Sequence, residues 1–344
     1  MRILKKFSIL LLTITMVVGS IFVGNMTNSY ASTSYKHSVT NKNALTTSAR
    51  SGNYIYCSSG CALYKVNVKT KKKTRLYKGK YAWASIRNVS VYKDYVYFIS
   101  EKGGIDISTP YIYRIKTNGK NLQCLGLGEN PIPYGNKVYY LGGIRKDDYE
   151  SKTNGIYKMN LNGSNKTCIR KSKYISDFSI YNSNIYYIYV YDGSCITSYL
   201  GKINLNGNNN KKLVDYNGHD YYEILNIGGF YKGYIYIYTD QAFYKLKLSN
   251  NKLTKFAKFN NCNKYIIGVE KGYLYYGQWG SNKDYIYKLK LSNNKKTIVV
   301  SGENDYGYLV SSDYMVYGYN YKSGHYLIGT NGKNKIYLGK SFIP

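Results

Sequence analysis

An all-β fold is predicted by three observations. Tyrosine supplies 46 of 344 residues while proline supplies only 4, apolar and polar residues alternate in short runs, and those runs recur at a nearly constant interval. Aromatic side chains pack well on a pleated surface, and alternation with a period of two puts every second side chain on one face of a strand. At 44% hydrophobic and 17% aromatic residues, the chain can bury a core, which excludes wholesale disorder.

In chain order, the first element is a leader. Arg2, Lys5 and Lys6 precede an apolar run over 7–24, and Ser29-Tyr30-Ala31 offers small residues at the two positions that a signal peptidase reads. Residues 1–31 are therefore expected to be a secretory signal peptide, 32–43 a linker and 44–344 a single domain. The apolar run is long enough for a retained anchor, but the small-x-small site just beyond it favours cleavage. No later segment approaches spanning length and no Cys near Ala31 could carry a lipid. The mature chain is expected to be a soluble, secreted monomer, at most wall-associated.

A repeat follows. Its first motif reads apolar or aromatic, then an aliphatic residue, then Tyr, at Tyr54-Ile55-Tyr56, Tyr95-Val96-Tyr97, Lys137-Val138-Tyr139, Asn184-Ile185-Tyr186, Tyr234-Ile235-Tyr236, Tyr273-Leu274-Tyr275 and Met315-Val316-Tyr317. The final tyrosines stand 41, 42, 47, 50, 39 and 42 residues apart. A second motif, aromatic, then Lys or Arg, then apolar, occurs at Tyr64-Lys65-Val66, Tyr113-Arg114-Ile115, Tyr157-Lys158-Met159, Gly201-Lys202-Ile203, Tyr244-Lys245-Leu246 and Tyr287-Lys288-Leu289, with a degenerate copy at Tyr326-Leu327-Ile328. Asn-Gly at 118–119, 162–163, 206–207 and 331–332, or Asn-Asn at 250–251 and 293–294, comes next. These residues supply the positive φ of a hairpin turn.

Each unit of about 42 residues thus holds about four short strands. A sheet this small exposes both faces and cannot stand alone, whereas a radial arrangement buries face against face and protects the edges. The expectation is a β-propeller with four-stranded antiparallel blades. Seven copies give seven blades, with 44–50 as a weakly patterned first strand; six or eight also fit a looser count. A linear solenoid would need polar caps, and none is visible.

The strings Ile112-Tyr113-Arg114-Ile115-Lys116-Thr117-Asn118-Gly119-Lys120-Asn121 and Ile156-Tyr157-Lys158-Met159-Asn160-Leu161-Asn162-Gly163-Ser164-Asn165 resemble the repeat of low-density-lipoprotein-receptor-related propellers. They also resemble TolB-like propellers and a propeller domain of unknown function found in secreted bacterial proteins. The resemblance implies the fold and a binding role more than an activity, because such scaffolds host many functions. The Tyr-Trp-Thr-Asp signature of the receptor repeat is absent, so that family's calcium and ligand properties do not carry over.

From first motif to second the spacing varies through 8, 16, 18, 15, 8, 12 and 9 residues, while the turns after the second motif hardly change. Insertions therefore collect on one face, where long loops on a rigid scaffold carry function. Trp83, Trp279, Arg145, Asp148, Tyr149 and His219 are the candidate ligand-binding residues there, accompanied by Glu101, Asp106, Asp147, Glu150, Asp192 and Asp220. A tryptophan beside charges can stack on a sugar ring or anchor a partner; the competing reading is that each Trp plugs a blade junction.

Chemistry is scarcer. His37, His219 and His325 are the only histidines, and none has metal-ligand spacing, so no metal and no cofactor is expected. No local arrangement announces a catalytic residue, though acids from several blades could meet at a central channel as in a glycan hydrolase or lyase. Cys57 and Cys61 flank Ser58-Ser59-Gly60 and could bridge a hairpin tip in an oxidising compartment; Cys124 and Cys168 read as small buried residues. Lys and Arg number 49 against 18 Asp and Glu, a formal +31. Such charge attracts polyanions such as an anionic wall polymer, with nucleic acid the weaker expectation; the bland alternative is solvated lysine guarding strand edges. The sequence thus points to a non-enzymatic binding module for a wall polymer, glycan or protein.

Overall fold

A computed structural model describes residues 48–339, except 60, 81–85, 104–107, 145–152, 193–195, 218–225, 240–241, 259–263, 271, 280–282, 303–306, 312–313 and 318–324. It is a β-propeller of seven blades, spanning 48–78, 86–127, 129–171, 175–217, 226–258, 264–302 and 307–339. Each blade is one sheet of four consecutive strands in the order 1-2-3-4, all antiparallel. The first strand of every blade lies beside the first strand of the next, and the first strand of blade 7 lies beside that of blade 1. The innermost strands thus close a ring. Among the described residues no helix is long and apolar enough to cross a membrane.

The core is divided among seven apolar clusters, one in each joint between neighbouring blades. This partition explains the first motif. On strand 2 the middle residue faces the preceding blade: Ile55 packs against blade 7, Val96 against blade 1 and Val138 against blade 2. The tyrosine after it points the other way, so Tyr56, Tyr97 and Tyr139 enter the next joint. The second motif lies on strand 3 with its lysine directly opposite that tyrosine, as in Tyr56 with Lys65 and Tyr236 with Lys245. From there Lys65, Lys158 and Lys288 reach forward, each Nζ donating to the carbonyl of Thr117, Leu205 or Thr330 at 3.1, 3.3 and 3.3 Å. Those carbonyls occupy one equivalent site, the start of the turn between strands 3 and 4 of the following blade. The repeat lysine is therefore a tie between blades.

Two sequence readings need correction. In blade 7 the register pairs Val316 with Leu327, where blade 1 pairs Tyr56 with Lys65. The first motif there is Tyr314-Met315-Val316, one residue earlier than the sequence suggests, and it lacks the tyrosine. The Asn-Gly pairs do supply the positive φ of a hairpin turn: Gly119 N donates to Lys116 O and Lys116 N to Lys120 O, with φ of 85° at Gly119. That geometry is a three-residue turn ending in a glycine bulge. Finally, Cys124 and Cys168 are exposed, whereas the residue after Cys124 on the same outer strand, Leu125, is buried in the joint with blade 3. The odd Gly201 of blade 4 has a packing cause. A Cβ there would stand 2.1 Å from Cζ of Tyr187, whose ring fills the place of the missing aromatic and whose hydroxyl donates to Asn210 Oδ1 at 2.7 Å.

Candidate functional site

The two faces of the ring are built differently. Strands 1 and 2 are always joined by two residues, from 52–53 in blade 1 to 312–313 in blade 7, and the link between strands 3 and 4 stays within four to six. On the opposite face the link between strands 2 and 3 ranges from two residues, 60–61, to twelve, 143–154. The links between blades open on that face too and run from the single Gly128 to the eight residues 218–225. Most of the variation in link length is thus displayed on one face, the loop face, and the other is a nearly uniform turn face.

At the axial end of the loop face, three side chains from two blades meet. Arg87, near the start of the first strand of blade 2 (Ile86–Tyr92), places its NH2 nitrogen 3.0 Å from Glu101 Oε1 and 3.0 Å from Glu129 Oε1. Glu101 lies two residues before the end of the second strand of the same blade (Tyr95–Gly103), and Glu129 opens the first strand of blade 3 (Glu129–Tyr134). Beside them Asn88 Nδ2 lies 3.5 Å from Asn130 Oδ1. Both asparagines have positive φ, 53° and 58°, and both stand where the innermost strand breaks register with its neighbour. A bulge of this kind re-aims side chains at a sheet edge, and Asn tolerates the left-handed region better than most residues. In blade 4 the corresponding bulge precedes Asp177, a buried carboxyl. A polar arc therefore runs over blades 2 to 4, at the loop-face end of the inner strands.

This arc can orient a ligand. A guanidinium shared between two partly buried carboxylates is a charge-assisted, geometrically fixed contact. Among the described residues, no group of three or more His, Cys, Asp or Glu could hold a metal ion. Arg87 and Glu129 escaped the sequence reading, which favoured loops over strand starts. The available signal was their equivalence: Arg87 and Glu129 are 42 residues apart, as are Asn88 and Asn130, one repeat length.

Of the sequence candidates, Trp83, Arg145, Asp148, Tyr149 and His219 lie outside the described residues, as do Asp106, Asp147, Glu150, Asp220, residues 1–43 and the first residues of the expected domain. Trp279 is described: it follows the second strand of blade 6 (Tyr273–Gln278), half-buried, with its indole nitrogen withdrawn from solvent. Glu101 is the one acid of the predicted face that the structure brings into the arc. Cys57 and Cys61 stand as two separate buried thiols. Cys57 is opposite Tyr64 in the ladder and packs in the joint with blade 7, while Cys61 belongs to the turn. Burial pushes the Cys57 thiol up to about 12.

No family model and no curated protein matches the sequence. Among solved structures the chain is similar to a prolyl endopeptidase, with 13% identity and a TM-score of 0.59 over 84% of this chain and 49% of that one. It is similar to an oligogalacturonate lyase in complex with manganese, with 11% identity and a TM-score of 0.51 over 72% of this chain and 74% of that one. A nidogen/laminin complex matches with 12% identity and a TM-score of 0.49, over 73% and 94% respectively. The chain spans about half the length of the endopeptidase. At such identities the likeness is one of fold.

Proposed function

We propose that the protein is a secreted or cell-surface binding module without catalytic activity, which engages a wall polymer, glycan or protein through its loop face. The carrying observation is the contrast in connection length: the turn-face links are nearly uniform, whereas the loop-face links run from one residue to twelve. The packed blades make a rigid frame, and variable loops on a rigid frame are where recognition resides. The arc at the axial end supports binding over the hydrolase or lyase alternative, since Arg87 occupies both Glu101 and Glu129. By sequence position Trp83, Arg145, Asp148, Tyr149, His219 and Trp279 share this face, and the leader motif supports export.

The test is a screen of the full chain against glycans, wall polymers and surface proteins, with turnover assayed on the same preparations. Saturable binding is expected, weakened about tenfold or more when 143–154 is replaced by a two-residue turn, a loss of the size that hot-spot loops carry. Catalytic turnover abolished by Glu129→Gln would instead establish the enzyme reading.

A further inference from the structure

The charges of the chain are divided between the two faces. By sequence position, of the 18 acids every one except Asp94, Asp215, Glu270 and Asp313 belongs to the loop-face end of a strand or to a stretch that joins strand 2 to strand 3 or one blade to the next, and Asp215 is mid-strand, ion-paired with Lys212. Counted the same way, acids and bases roughly offset one another at that end, so the excess of positive charge in the sequence belongs to the turn-face stretches. There each blade contributes an exposed lysine in or beside its link between strands 3 and 4: Lys69, Lys120, Lys166, Lys211, Lys252, Lys295 and Lys333. A compositional preference for lysine would scatter cations over both faces and would not clear acids from one of them. The segregation is thus a property of the fold's use, set by where the repeat places its turns.

The chemistry of the face narrows what it takes. Its cations are lysines, hydrated point charges without the planar fork that arginine offers a defined carboxylate or phosphate, which suits a flexible chain of anionic groups. The links between strands 3 and 4 are made of Asn, Gly, Ser, Thr, Leu and Lys, with Val68 in blade 1. The tyrosines nearest them each carry a cation over one ring face: Lys65 lies 4.0 Å from the ring centre of Tyr54, which is itself exposed, Arg114 4.3 Å from Tyr95, Lys288 5.4 Å from Tyr273 and Lys245 5.7 Å from Tyr234. A single-stranded nucleic acid wants bare aromatic platforms for its bases, and a ring face already held by a cation is a poorer one.

We infer that the turn face is a second binding surface, which docks the ring flat onto a linear phosphodiester polymer without bases, of the poly(polyol phosphate) kind, leaving the loop face free for its own ligand. Each blade adds one lysine, so the polymer is held by counterion release from several weak contacts rather than by one pocket.

The experiment uses the full chain with poly(glycerol phosphate) as probe, and heparin and an oligothymidylate of equal charge as competitors, over a range of salt. Affinity for poly(glycerol phosphate) is expected to fall steeply with salt. The turn-face variant K69E/K120E/K295E/K333E should lose about tenfold or more and show a shallower salt slope. An equally charged loop-face variant, K78E/K171E/K173E/K283E, should change by less than about threefold, because its charges lie across the ring from the polymer. Thermal melting of both variants checks that each is folded. Equal losses in the two variants, or tighter binding of heparin or oligothymidylate, would overturn the inference. The two readings fail separately: if the polymer does not bind while a loop-face ligand does, this inference falls alone, and if turnover is found while the polymer still binds, only the loop-face reading falls.

Discussion

Where blade 1 meets blade 2, Tyr56 and Leu63 pack against Val89, Val96, Phe98 and Ile115, and Lys65 ties the joint by its bond to Thr117 O. Where blade 7 meets blade 1, the register positions of that tyrosine and lysine hold Val316 and Leu327. Leu327 is fully buried there among Ile55, Cys57, Val66, Ile336 and Leu338, and the polar tie runs backward, from Lys73 Nζ to Leu338 O at 2.6 Å. Arg50 of blade 1 adds a cation over the ring of Tyr314 at 5.5 Å. The difference follows from chain connectivity. Blades 1 and 2 are consecutive, so their joint is assembled at the high effective concentration of neighbours on one chain. Blades 7 and 1 come from opposite ends of the described residues, with no short link between them, so among the described residues side-chain contacts close the ring. Apolar contact scales with area and tolerates small misalignment, which makes it the better seal for the last joint.

The largest expected consequence of this contrast is at high pH. Burial raises the phenols of Tyr139, Tyr186 and Tyr236 from 10.0 to about 12, and each faces the joint with its following blade. A phenol held neutral by folding contributes stability that is whole below its unfolded pKa and lost as pH climbs through the folded one. Stability should therefore hold up to about pH 10 and collapse cooperatively between about 10 and 12, with tyrosinate absorbance and loss of β-sheet circular dichroism rising together. Tyrosinate formation without unfolding would show that these joints are wet.

Next in size is the closing joint itself. Leu327→Ala should cost about 2–5 kcal/mol in urea denaturation, the range for a leucine truncated in a packed core. A cost below about 1 kcal/mol would mean the seam is loose. Smallest is Lys65→Met, which keeps the side chain's stem over the tyrosines but deletes one hydrogen bond; about 0.5–1.5 kcal/mol is expected. Should the order of these two be reversed, the ties would outweigh the packing and the contrast between the joints would have no energetic content.

The fold was legible because a propeller repeats its physics. The first motif alternates because its middle residue and its tyrosine face opposite joints, and seven copies of that alternation are visible in sequence without any coordinates. The slip at Met315-Val316-Tyr317 arose where the pattern is interrupted for a reason, since blade 7 has an apolar seam to make in place of a tyrosine and lysine pair. Cys124 and Cys168 were misjudged because small sulfur side chains read as core, whereas on the outermost strands the residues that face a joint, such as Leu125, are the buried ones. Arg87 and Glu129 are ordinary charges in sequence. They become a pair only when consecutive inner strands are laid side by side with their bulges aligned.

The closed ring, on which both faces depend, can be tested most directly at Cys57. Its thiol is buried in the seam between blades 7 and 1, whereas Cys124 and Cys168 are exposed on outer strands. In the folded chain at neutral pH, an alkylating reagent should label Cys124 and Cys168 promptly and spare Cys57, which should become reactive only in step with global unfolding by urea. Labelling of Cys57 as fast as Cys124 under native conditions would mean that the seam stands open, and the two-faced disc would have to be abandoned.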